Sequence, residues 1–329
     1  MKSRILKLLR ESGDYISGQQ LCEELGVSRT AVWKVMGKLK EEGYQIDSVP
    51  NRGYRLVASG DVFSAEEIGS LLTTEQMGRQ LVFYEETGST NTDCRRLMEE
   101  KPKSGILVVA ANQNAGKGRR GRGWISPKDT SISFSLGLIP EFSPQKASML
   151  TLVMALAVQK AISRLTGLKT LIKWPNDIVV NGKKICGILT EMNMEMDYIS
   201  SVIIGVGINV SQREFPGELT DRATSLLLET KQEQRLQRSV ITAECINQFE
   251  QEYKRFLETE DLSGMKEEYE AVLTGLNSEV CVLDPKGEYK GISRGITTSG
   301  ELLVERKDGS VTCVYAGEVS VRGLYGYVN

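Results

Sequence analysis

Apolar residues recur at helical spacing in the first part of the chain, in short runs that stop at glycines. One run ends at Gly26; a second begins after Ser28, a residue type that favours helix starts, and ends at Gly43. Residues 44–49 and 53–57 then alternate between apolar and polar side chains around a turn, as paired strands do. Two helices joined by a short turn and followed by a hairpin predict a winged helix-turn-helix.

The middle of the chain mixes strand-like and helix-like patterns. Most of its apolar runs follow one another without a helix between them, which favours a mixed, largely antiparallel sheet over a doubly wound parallel one. Asn181-Gly182 between two such runs is a strong hairpin signal. The predicted strands are 81–85, 106–111, 131–139, 170–173, 177–180, 185–191 and 202–210, and the predicted helices are 89–100, 144–165, 239–257 and one near 262–273.

The last part of the chain consists of short alternating runs separated by turns. This pattern in fewer than sixty residues predicts a small β-barrel. We therefore expect a multi-domain α+β protein with a winged helix-turn-helix at 1–62, a mixed-sheet domain at 63–273 and a barrel at 274–329. The runs of the last domain are 280–283, 289–296, 302–306, 311–315 and 319–322, with turns at 284–287, 299–300 and 308–309.

Composition narrows the possible chemistry. The 329 residues are 40% hydrophobic and 26% charged, as in an ordinary globular protein, and the formal net charge is -2. Residues 1–60 nevertheless carry ten Lys or Arg against seven Asp or Glu, so a positive field is confined to the predicted winged domain. The chain contains no histidine, which excludes Ser-His-Asp and Cys-His catalysis and His-ligated zinc.

Cysteine usage and hydropathy predict a soluble cytoplasmic protein without membrane contact. The six cysteines lie far apart with no CxxC pair, as expected for reduced, buried cysteines. The amino terminus becomes charged too early for a signal peptide. The most apolar stretch, residues 149–158, is about half the length that a bilayer span needs.

The helix after Ser28 has the features of a DNA recognition helix. Its polar face would lie in a major groove, while Arg52 at the tip of the wing would meet phosphate or the minor groove. The alternative is a three-helix protein-interaction module with a solvated basic face. The candidate DNA-binding residues are Ser28, Arg29, Thr30, Trp33, Lys34, Lys38 and Arg52.

Residues 116–124 of the central region are rich in glycine and arginine. Glycines let a ligand approach backbone N–H groups, and the interleaved cations can clamp phosphate oxygens. The order of residues is not that of a P-loop. A flexible basic loop for nucleic acid is the alternative, but Trp124 at its end, inside a folded sheet, favours a nucleotide site.

Two further segments carry polar groups at turns. Residues 88–91 combine small polar side chains with a helix start, a pattern that also occurs as a simple cap cluster. Residues 173–177 place a cation, an amide and a carboxylate on one turn, which suits a nucleotide with Mg²⁺. A purely structural Asx-turn at Asn176-Asp177 is the alternative.

Four motifs in this order resemble those of bifunctional biotin–protein ligases that also repress the biotin operon. They are GSTN at 88–91, GKGRRGRGW at 116–124, KWPNDI at 173–178 and KKICGILTE at 183–191. The resemblance covers essentially the whole chain. It implies a catalytic domain related to class II aminoacyl-tRNA synthetases and lipoate ligases, followed by an SH3-like barrel.

The resemblance implies a two-step reaction. The carboxylate of biotin attacks the α-phosphate of Mg²⁺-bound ATP, giving biotinyl-5′-AMP and pyrophosphate. A lysine amine on the biotin carboxyl carrier domain of acetyl-CoA carboxylase, or of another biotin-dependent carboxylase, then takes the biotinyl group. Such chemistry depends on positioning and charge stabilisation, so it needs no histidine.

The resemblance also implies roles for individual residues. Lys117 stands where Arg is frequent and Gly123 precedes Trp124, so we expect no bidentate contact from residue 117 and a more flexible loop at 123. Arg119 is expected both to promote formation of the intermediate and to retain it. The implied catalytic residues are Arg119, Lys184, Asp177 and Lys173, and Asp177 is also a candidate Mg²⁺ ligand. The residues implied to bind biotin are Ser89, Thr90, Asn91, Gln113, Lys117, Gly118, Arg119 and Lys184. The residues implied to bind ATP are Arg119, Arg122, Trp124, Asn176 and Asn209.

Finally, the resemblance implies a link between the two functions. Biotinyl-5′-AMP would order the glycine-rich loops and favour a homodimer that places two winged domains on operator DNA. The acceptor protein and the second subunit would compete for one sheet edge. Three other functions stay open: a lipoate ligase, a ligand-sensing repressor without activity, and a nucleic-acid-binding protein that uses the Arg/Gly loop.

Overall fold

The computed structural model describes residues 1–195, 198–230, 236–284, 287–316 and 320–323. Its amino-terminal unit has a small hydrophobic core of its own, built around Leu6, Val35 and Leu39. Ser17 and Ser28 cap their helices, each accepting a backbone N–H at its hydroxyl. This confirms the predicted winged helix-turn-helix, whose elements are α1 (Lys2–Ser12), α2 (Gly18–Leu25), α3 (Arg29–Glu41), β1 (Tyr44–Val49) and β2 (Gly53–Ser59).

The central unit is a seven-stranded sheet in the order β3-β4-β7-β11-β10-β9-β8. Only β3 and β4 are parallel, which confirms a mixed, largely antiparallel sheet. The bounds are α4 (Ala65–Leu71), β3 (Leu81–Tyr84), α5 (Thr90–Glu100), β4 (Ile106–Ala110), β5 (Gln113–Lys117), β6 (Gly123–Ser126), β7 (Ser131–Leu138), α6 (Met149–Thr166), β8 (Leu171–Lys173), β9 (Asp177–Val180), β10 (Lys183–Glu195), β11 (Tyr198–Asn209), α7 (Leu226–Thr230), α8 (Arg238–Thr259) and α9 (Lys266–Ala271).

Helices cover both faces of this sheet. On one face α6 packs against α8 and the strands, and on the other α5 packs against β4, β7 and β11. Alternate residues of β4 serve the two layers: Leu107 and Val109 belong to the main core, and Val108 belongs to the cluster under α5. The segment Pro144–Thr166 is apolar and long enough to span a bilayer, but 67% of its most apolar window is buried inside the molecule.

Several element limits differ from those predicted. The glycine-rich segment is not a plain loop, because β5 and β6 pair as a small antiparallel hairpin on either side of it. Glycine carries no strand signal, so the hydrophobic pattern could not show this pairing. β10 extends to Glu195 beyond the predicted end at residue 191, and the helix predicted near 262–273 is limited to Lys266–Ala271.

The carboxyl-terminal strands form an antiparallel sheet in the order β15-β14-β13-β12-β16, and this confirms a small all-β region. Its apolar residues join the main core, and Trp174 Nε1 donates to the carbonyl of Gly300 at 3.0 Å. Residues 285–286 of a predicted turn and residue 319 of a predicted strand lie outside the described residues. The strands are β12 (Glu279–Leu283), β13 (Tyr289–Ile296), β14 (Leu302–Glu305), β15 (Val311–Val314) and β16 (Ser320–Gly323).

The cysteines follow the prediction in part. Cys94, Cys186 and Cys245 are buried, and burial raises the pKa of each thiol, so these side chains remain neutral. Cys313, in contrast, is exposed on β15, at the edge of the sheet, where the strand pattern alone does not reveal which face meets solvent. The domain limits at 62 and 273 stay predictions.

Two polar clusters join the winged unit to the central unit. Glu67 of α4 is 2% exposed, accepts the Tyr44 hydroxyl at 2.7 Å and pairs with Arg10 of α1. Arg238 at the start of α8 binds Asp61 in the connecting segment through its backbone N–H at 2.8 Å and its Nε at 2.9 Å. The hydroxyl of Ser239 donates to the carbonyl of Val62 at 2.7 Å. The connection between the units is therefore fixed at both ends.

Candidate active site

Three glycines form the floor of the site on β10 and β11. Gly187 faces Gly207 across the strand pair, and Gly205 lies two residues before Gly207. A Cβ on Gly205 would lie 2.1 Å from Asn91 Oδ1, and one on Gly207 would lie 2.4 Å from Trp124 Cε2. An amide and an indole therefore lie directly on the sheet, where only glycine leaves room.

A small polar pocket opens over this floor. The start of α5 supplies Thr90 and Asn91, which are 3% and 4% exposed. Gln113 Oε1 accepts both the backbone N–H of Thr90 at 2.8 Å and its hydroxyl at 2.9 Å, which ties the pocket wall to β5. The structure thus brings together the predicted biotin residues: Ser89, Thr90, Asn91, Gln113, Lys117, Gly118, Arg119 and Lys184 line this pocket.

A larger cavity of about 260 Å³ adjoins the pocket. Trp124 stands between the two, and its buried indole N–H makes no hydrogen bond within the described part of the chain. All the predicted nucleotide residues line this cavity, namely Arg119, Arg122, Trp124, Asn176 and Asn209, together with Lys173, Asp177 and Lys184. Its far wall carries no motif recognised in the sequence and is formed by Gln212, Glu214, Phe215, Pro216, Leu219, Arg222 and Ala223.

An ion pair lies where the pocket and the cavity meet. Lys184 Nζ is 2.7 Å from Asp177 Oδ1 and 5.4 Å from the centre of the Trp124 ring. Asn176 Nδ2 donates to the same Asp177 oxygen at 3.1 Å. The turn at 173–177 therefore carries an Asn–Asp contact of the Asx kind and also faces the cavity, so the structural and functional interpretations of this turn both apply.

Arg119 crosses the same junction. Its Nη1 donates to Asn176 Oδ1 at 2.8 Å, and its Nη2 donates to the carbonyl of Ala316 in the carboxyl-terminal sheet. Burial lowers the pKa of the guanidinium from its ordinary value, while the Asp177 carboxylate opposes that shift. The side chain thus connects the glycine-rich hairpin, the 173–177 turn and the last domain.

The other cations of the hairpin lie differently. The Lys117 side chain is exposed and its Nζ contacts Thr92 Oγ1 at 3.4 Å. Arg122 is exposed at the cavity rim. Asn209 is 4% exposed, and its Nδ2 donates to the carbonyl of Thr224 at 3.0 Å, so its amide also fixes the wall of the cavity.

A metal ion would need ligand atoms from a bound substrate as well as from the protein at this site. Within the described residues no three Cys, Asp or Glu side chains cluster as a metal site. Asp177 offers one carboxylate at the cavity, and Mg²⁺ commonly binds one or two carboxylates together with substrate phosphates. The residues present therefore fit a Mg²⁺ ion that arrives with a nucleotide.

The candidate DNA-binding residues are all exposed on the winged unit. Trp33 is 68% exposed on α3, and Thr30, Lys34 and Lys38 are exposed as well. The guanidinium of Arg52 lies 4.3 Å from the centre of the Tyr15 ring. Three predicted residues have partners within the unit: the Ser28 hydroxyl caps α3, Arg29 Nη2 donates to Gln19 Oε1 at 2.8 Å, and Arg52 Nη2 lies 3.8 Å from Asp14 Oδ2.

Family models match three successive parts of the chain. Residues 2–55 match a helix-turn-helix (HTH) domain, residues 83–209 match the biotin/lipoate A/B protein ligase family, and residues 275–322 match the biotin protein ligase C terminal domain.

Individual relatives match over most of their length. The chain is 37% identical over 324 residues to the bifunctional ligase/repressor BirA of Bacillus subtilis (strain 168), covering 98% of both chains. It is 31% identical over 314 residues to the protein of the same name from Escherichia coli (strain K12), covering 95% of both. A solved biotin protein ligase from Aquifex aeolicus, in complex with biotin and ATP, superposes with a TM-score of 0.65 at 30% identity, covering 74% of this chain and 99% of that one. The chain therefore belongs to the biotin–protein ligase family, in the form that carries an amino-terminal helix-turn-helix domain.

Proposed function

We propose that this protein activates biotin with ATP, transfers it to a lysine of a biotin carboxyl carrier domain, and represses transcription with biotinyl-5′-AMP as corepressor. One observation carries the catalytic half of this proposal. Gly118, Arg119, Trp124, Asn176 and Lys184 line both the small pocket and the larger cavity. A carboxylic acid in the pocket and a nucleotide in the cavity would meet at these five residues.

The two cavities differ in a way that suits the two substrates. The small pocket is walled by polar side chains that can hydrogen-bond a ureido ring, and its glycine floor leaves a flat path for an aliphatic chain. The larger cavity has an indole wall and six cationic side chains that suit the adenine and phosphates of ATP. An apolar dithiolane ring would leave the polar wall of the pocket unpaired, which disfavours lipoate.

In the first step a biotin carboxylate oxygen bonds to the α-phosphorus, and the bond to the leaving pyrophosphate breaks. Arg119 and Lys184 line the cavity, and fixed cations there would stabilise the negative charge that develops on the phosphate oxygens without reorganisation. A Mg²⁺ ion, held by Asp177 and the phosphates, would supply further charge neutralisation. In the second step the lysine nitrogen bonds to the acyl carbon, AMP leaves, and the amine loses a proton to solvent.

The decisive test is ATP–pyrophosphate exchange by the purified protein with Mg²⁺, comparing biotin, lipoate and no acid. We expect exchange with biotin alone. Exchange with lipoate alone would place the protein among lipoate ligases. Tight biotin binding without exchange would leave a ligand-sensing repressor that has lost its activity.

The DNA-binding half of the proposal rests on the exposed face of α3. Trp33, Lys34 and Lys38 project from this helix, and Arg52 lies at the wing tip. Arg119 of the glycine-rich hairpin, in contrast, is half-buried and donates to Asn176, so its guanidinium is engaged within the site. We infer that the protein acts in the cytoplasm, where ATP, carrier domain and DNA are all accessible.

The proposed homodimer is supported by an uncovered strand edge. β10 pairs with β11 from Cys186 to Glu195, whereas β9 covers β10 only from Lys183 to Gly187. No strand of the described chain covers the remaining edge, and Met192 and Met194 beside it are 39% and 48% exposed. Such an edge accepts a strand from a second copy or from an acceptor protein, so the two would compete.

A further inference from the structure

A chain of buried polar side chains runs from the small pocket to an ion pair on β10. Asn91 Nδ2 donates to Glu191 Oε2 at 2.6 Å and contacts the carbonyl of Leu189 at 3.4 Å. Asn91 Oδ1 lies 2.6 Å from Ser135 Oγ. The other Glu191 oxygen accepts Arg95 Nη2 at 2.9 Å. Glu191 lies two residues beyond Leu189 on β10, so its side chain reaches Asn91 from outside the pocket.

The charge of Glu191 decides which end of the Asn91 amide faces the pocket. A carboxylate paired with Arg95 has only acceptor atoms, so it must face the amide nitrogen of Asn91. The oxygen of Asn91 then points to Ser135 and lies over the pocket floor at Gly205. Without Glu191 only the longer contact to the Leu189 carbonyl would hold the nitrogen on this side, and the amide could turn by 180° at no cost in shape, because its nitrogen and oxygen have nearly the same size.

The oxygen atoms of the pocket wall also make one more contact than their protons can turn into hydrogen bonds. Gln113 Oε1, Thr90 Oγ1, Ser135 Oγ and Asn91 Oδ1 form three successive oxygen–oxygen contacts of 2.9, 2.8 and 2.6 Å. The two hydroxyls supply only two protons for these three contacts. Gln113 cannot supply the third, because the same atom accepts the Thr90 backbone N–H and must be oxygen. One oxygen of this set therefore receives no hydrogen from its neighbour and can accept an N–H from a ligand.

We propose that Glu191, held by Arg95, is a positioning residue that fixes Asn91 as a hydrogen-bond acceptor and thereby selects a ligand ring that offers N–H groups. The inference rests on the proposed function, since the ureido ring of biotin carries two N–H groups. It adds a specificity device outside the pocket lining, on a side chain that need not touch the substrate.

The test compares biotin with a cyclic carbamate analogue in which a ring oxygen replaces one N–H, using pyrophosphate exchange by the full chain. In Glu191→Leu, which has no acceptor, we expect the KM for biotin to rise about tenfold while kcat changes less than twofold. The KM for the carbamate should stay nearly constant. The preference for biotin, measured as the KM for the carbamate divided by the KM for biotin, should therefore be about tenfold smaller in this variant than in the wild type.

A second pair of variants separates orientation from packing. Asn91→Asp alone places two carboxylates together, and we expect its KM for biotin to rise at least tenfold. Adding Glu191→Gln should restore the KM to within about threefold of wild type. The new amide at position 191 can donate to the new carboxylate at position 91, which still presents an acceptor to Ser135. The control Glu195→Gln removes the same charge from an exposed residue of β10 that contacts Tyr198.

Three results would overturn the proposal. In the first, Glu191→Leu keeps the wild-type preference for biotin over the carbamate. In the second, it weakens both ligands equally and also lowers the melting temperature, as a purely structural residue would. In the third, which does not require Glu191→Leu to fold, the double variant is no better than Asn91→Asp. Failure of the proposed function itself is distinct, because the wild-type protein would then show no biotin-dependent exchange.

Discussion

The glycines of the pocket floor illustrate how single residues determine this site. Gly205 and Gly207 lie in an otherwise apolar strand, where glycine is normally unfavourable because it has no side chain to pack. Here a missing side chain is what the site requires, since the Trp124 ring and the Asn91 amide occupy the space of both Cβ atoms. The cost in strand stability is offset by contact between the sheet and two ligand-facing groups.

We predict that Gly207→Ala impairs the nucleotide half of the site. The added methyl would lie within 2.4 Å of the Trp124 ring, which must then leave its place between pocket and cavity. Overpacking of this kind costs about 1–3 kcal/mol. The KM for ATP should rise at least tenfold in pyrophosphate exchange. Gly264→Ala, where a Cβ meets open space, is the matched control, and equal KM values in the two variants would refute this explanation.

Arg119 supports a second prediction at the residue scale. Its guanidinium lies at the opening between pocket and cavity, bound to Asn176 and to Ala316. Arg119→Gly should leave the adenylate free to escape, so that lysines on bystander proteins become biotinylated. Labelling of a protein mixture, detected with streptavidin, measures this effect. The neighbouring variant Arg120→Gly should biotinylate only the carrier domain. Arg120 is exposed, and glycine readily adopts its φ of 59°, so this substitution should leave the hairpin intact.

The residues that could be predicted from the sequence are those in dense local motifs. Lys173, Asn176 and Asp177 lie on one turn, so their proximity followed from the strand pattern alone. Glu191 ends the motif at 183–191, but its pairing with Arg95 could not be found this way, because 96 residues separate the two. Ser135 was not singled out because it is one of three serines that alternate with apolar residues along β7, and the pattern does not show which of the three reaches the pocket wall.

At the scale of elements, the uncovered part of β10 is the feature with the clearest consequence. The Ile188 N–H donates to the Asn176 carbonyl on the β9 side of the strand. Because backbone N–H groups alternate along a strand, those of Thr190 and Met192 also point to that side, beyond the end of β9. These groups can bind a second chain.

Met192→Pro should therefore prevent dimerisation and leave catalysis intact. Proline removes the outward N–H without removing a bond to β11. Sedimentation of the protein with biotin and ATP should show a dimer for wild type and for Met192→Ala, and a monomer for Met192→Pro. A proline variant that still dimerises would show that the proposed edge is not the interface.

Element prediction succeeded where side-chain periodicity was strong and failed where it was weak. The central strands and α6 were recognised because their apolar runs are nearly continuous. β5 and β6 were missed because three of their nine residues are small or glycine at the pairing positions, so pairing depends on backbone geometry alone. The outer part of β10 was missed because Asn193 and Glu195 are polar and Glu195 is exposed.

At the scale of the whole molecule, positive charge is concentrated where DNA binding is proposed. The protein has a net charge of -2, but the winged unit carries a small positive excess. Affinity for a DNA duplex should fall steeply as the salt concentration rises. Each lost phosphate contact should flatten the slope of log affinity against log salt concentration by about 1.

Lys38→Ala should show this flattening in fluorescence anisotropy titrations of a duplex over a range of salt concentrations. Arg120→Gly, in the glycine-rich hairpin, should keep the wild-type slope. If Arg120→Gly flattened the slope and Lys38→Ala did not, the hairpin would be the nucleic-acid surface. The result would then favour a nucleic-acid-binding protein that uses the Arg/Gly loop.

The fixed connection at Asp61 and Arg238 limits how the protein can read DNA. A flexible tether would let two recognition helices reach half-sites at many separations. Here Asp61 is held on α8 and Glu67 is held against Arg10 and Tyr44, so each recognition helix has one orientation relative to its catalytic unit. In the proposed homodimer the distance between recognition helices becomes a constant of the assembly. An operator whose half-sites are moved by half a helical turn would present one of them on the wrong side of the duplex, and no movement of the linker would compensate.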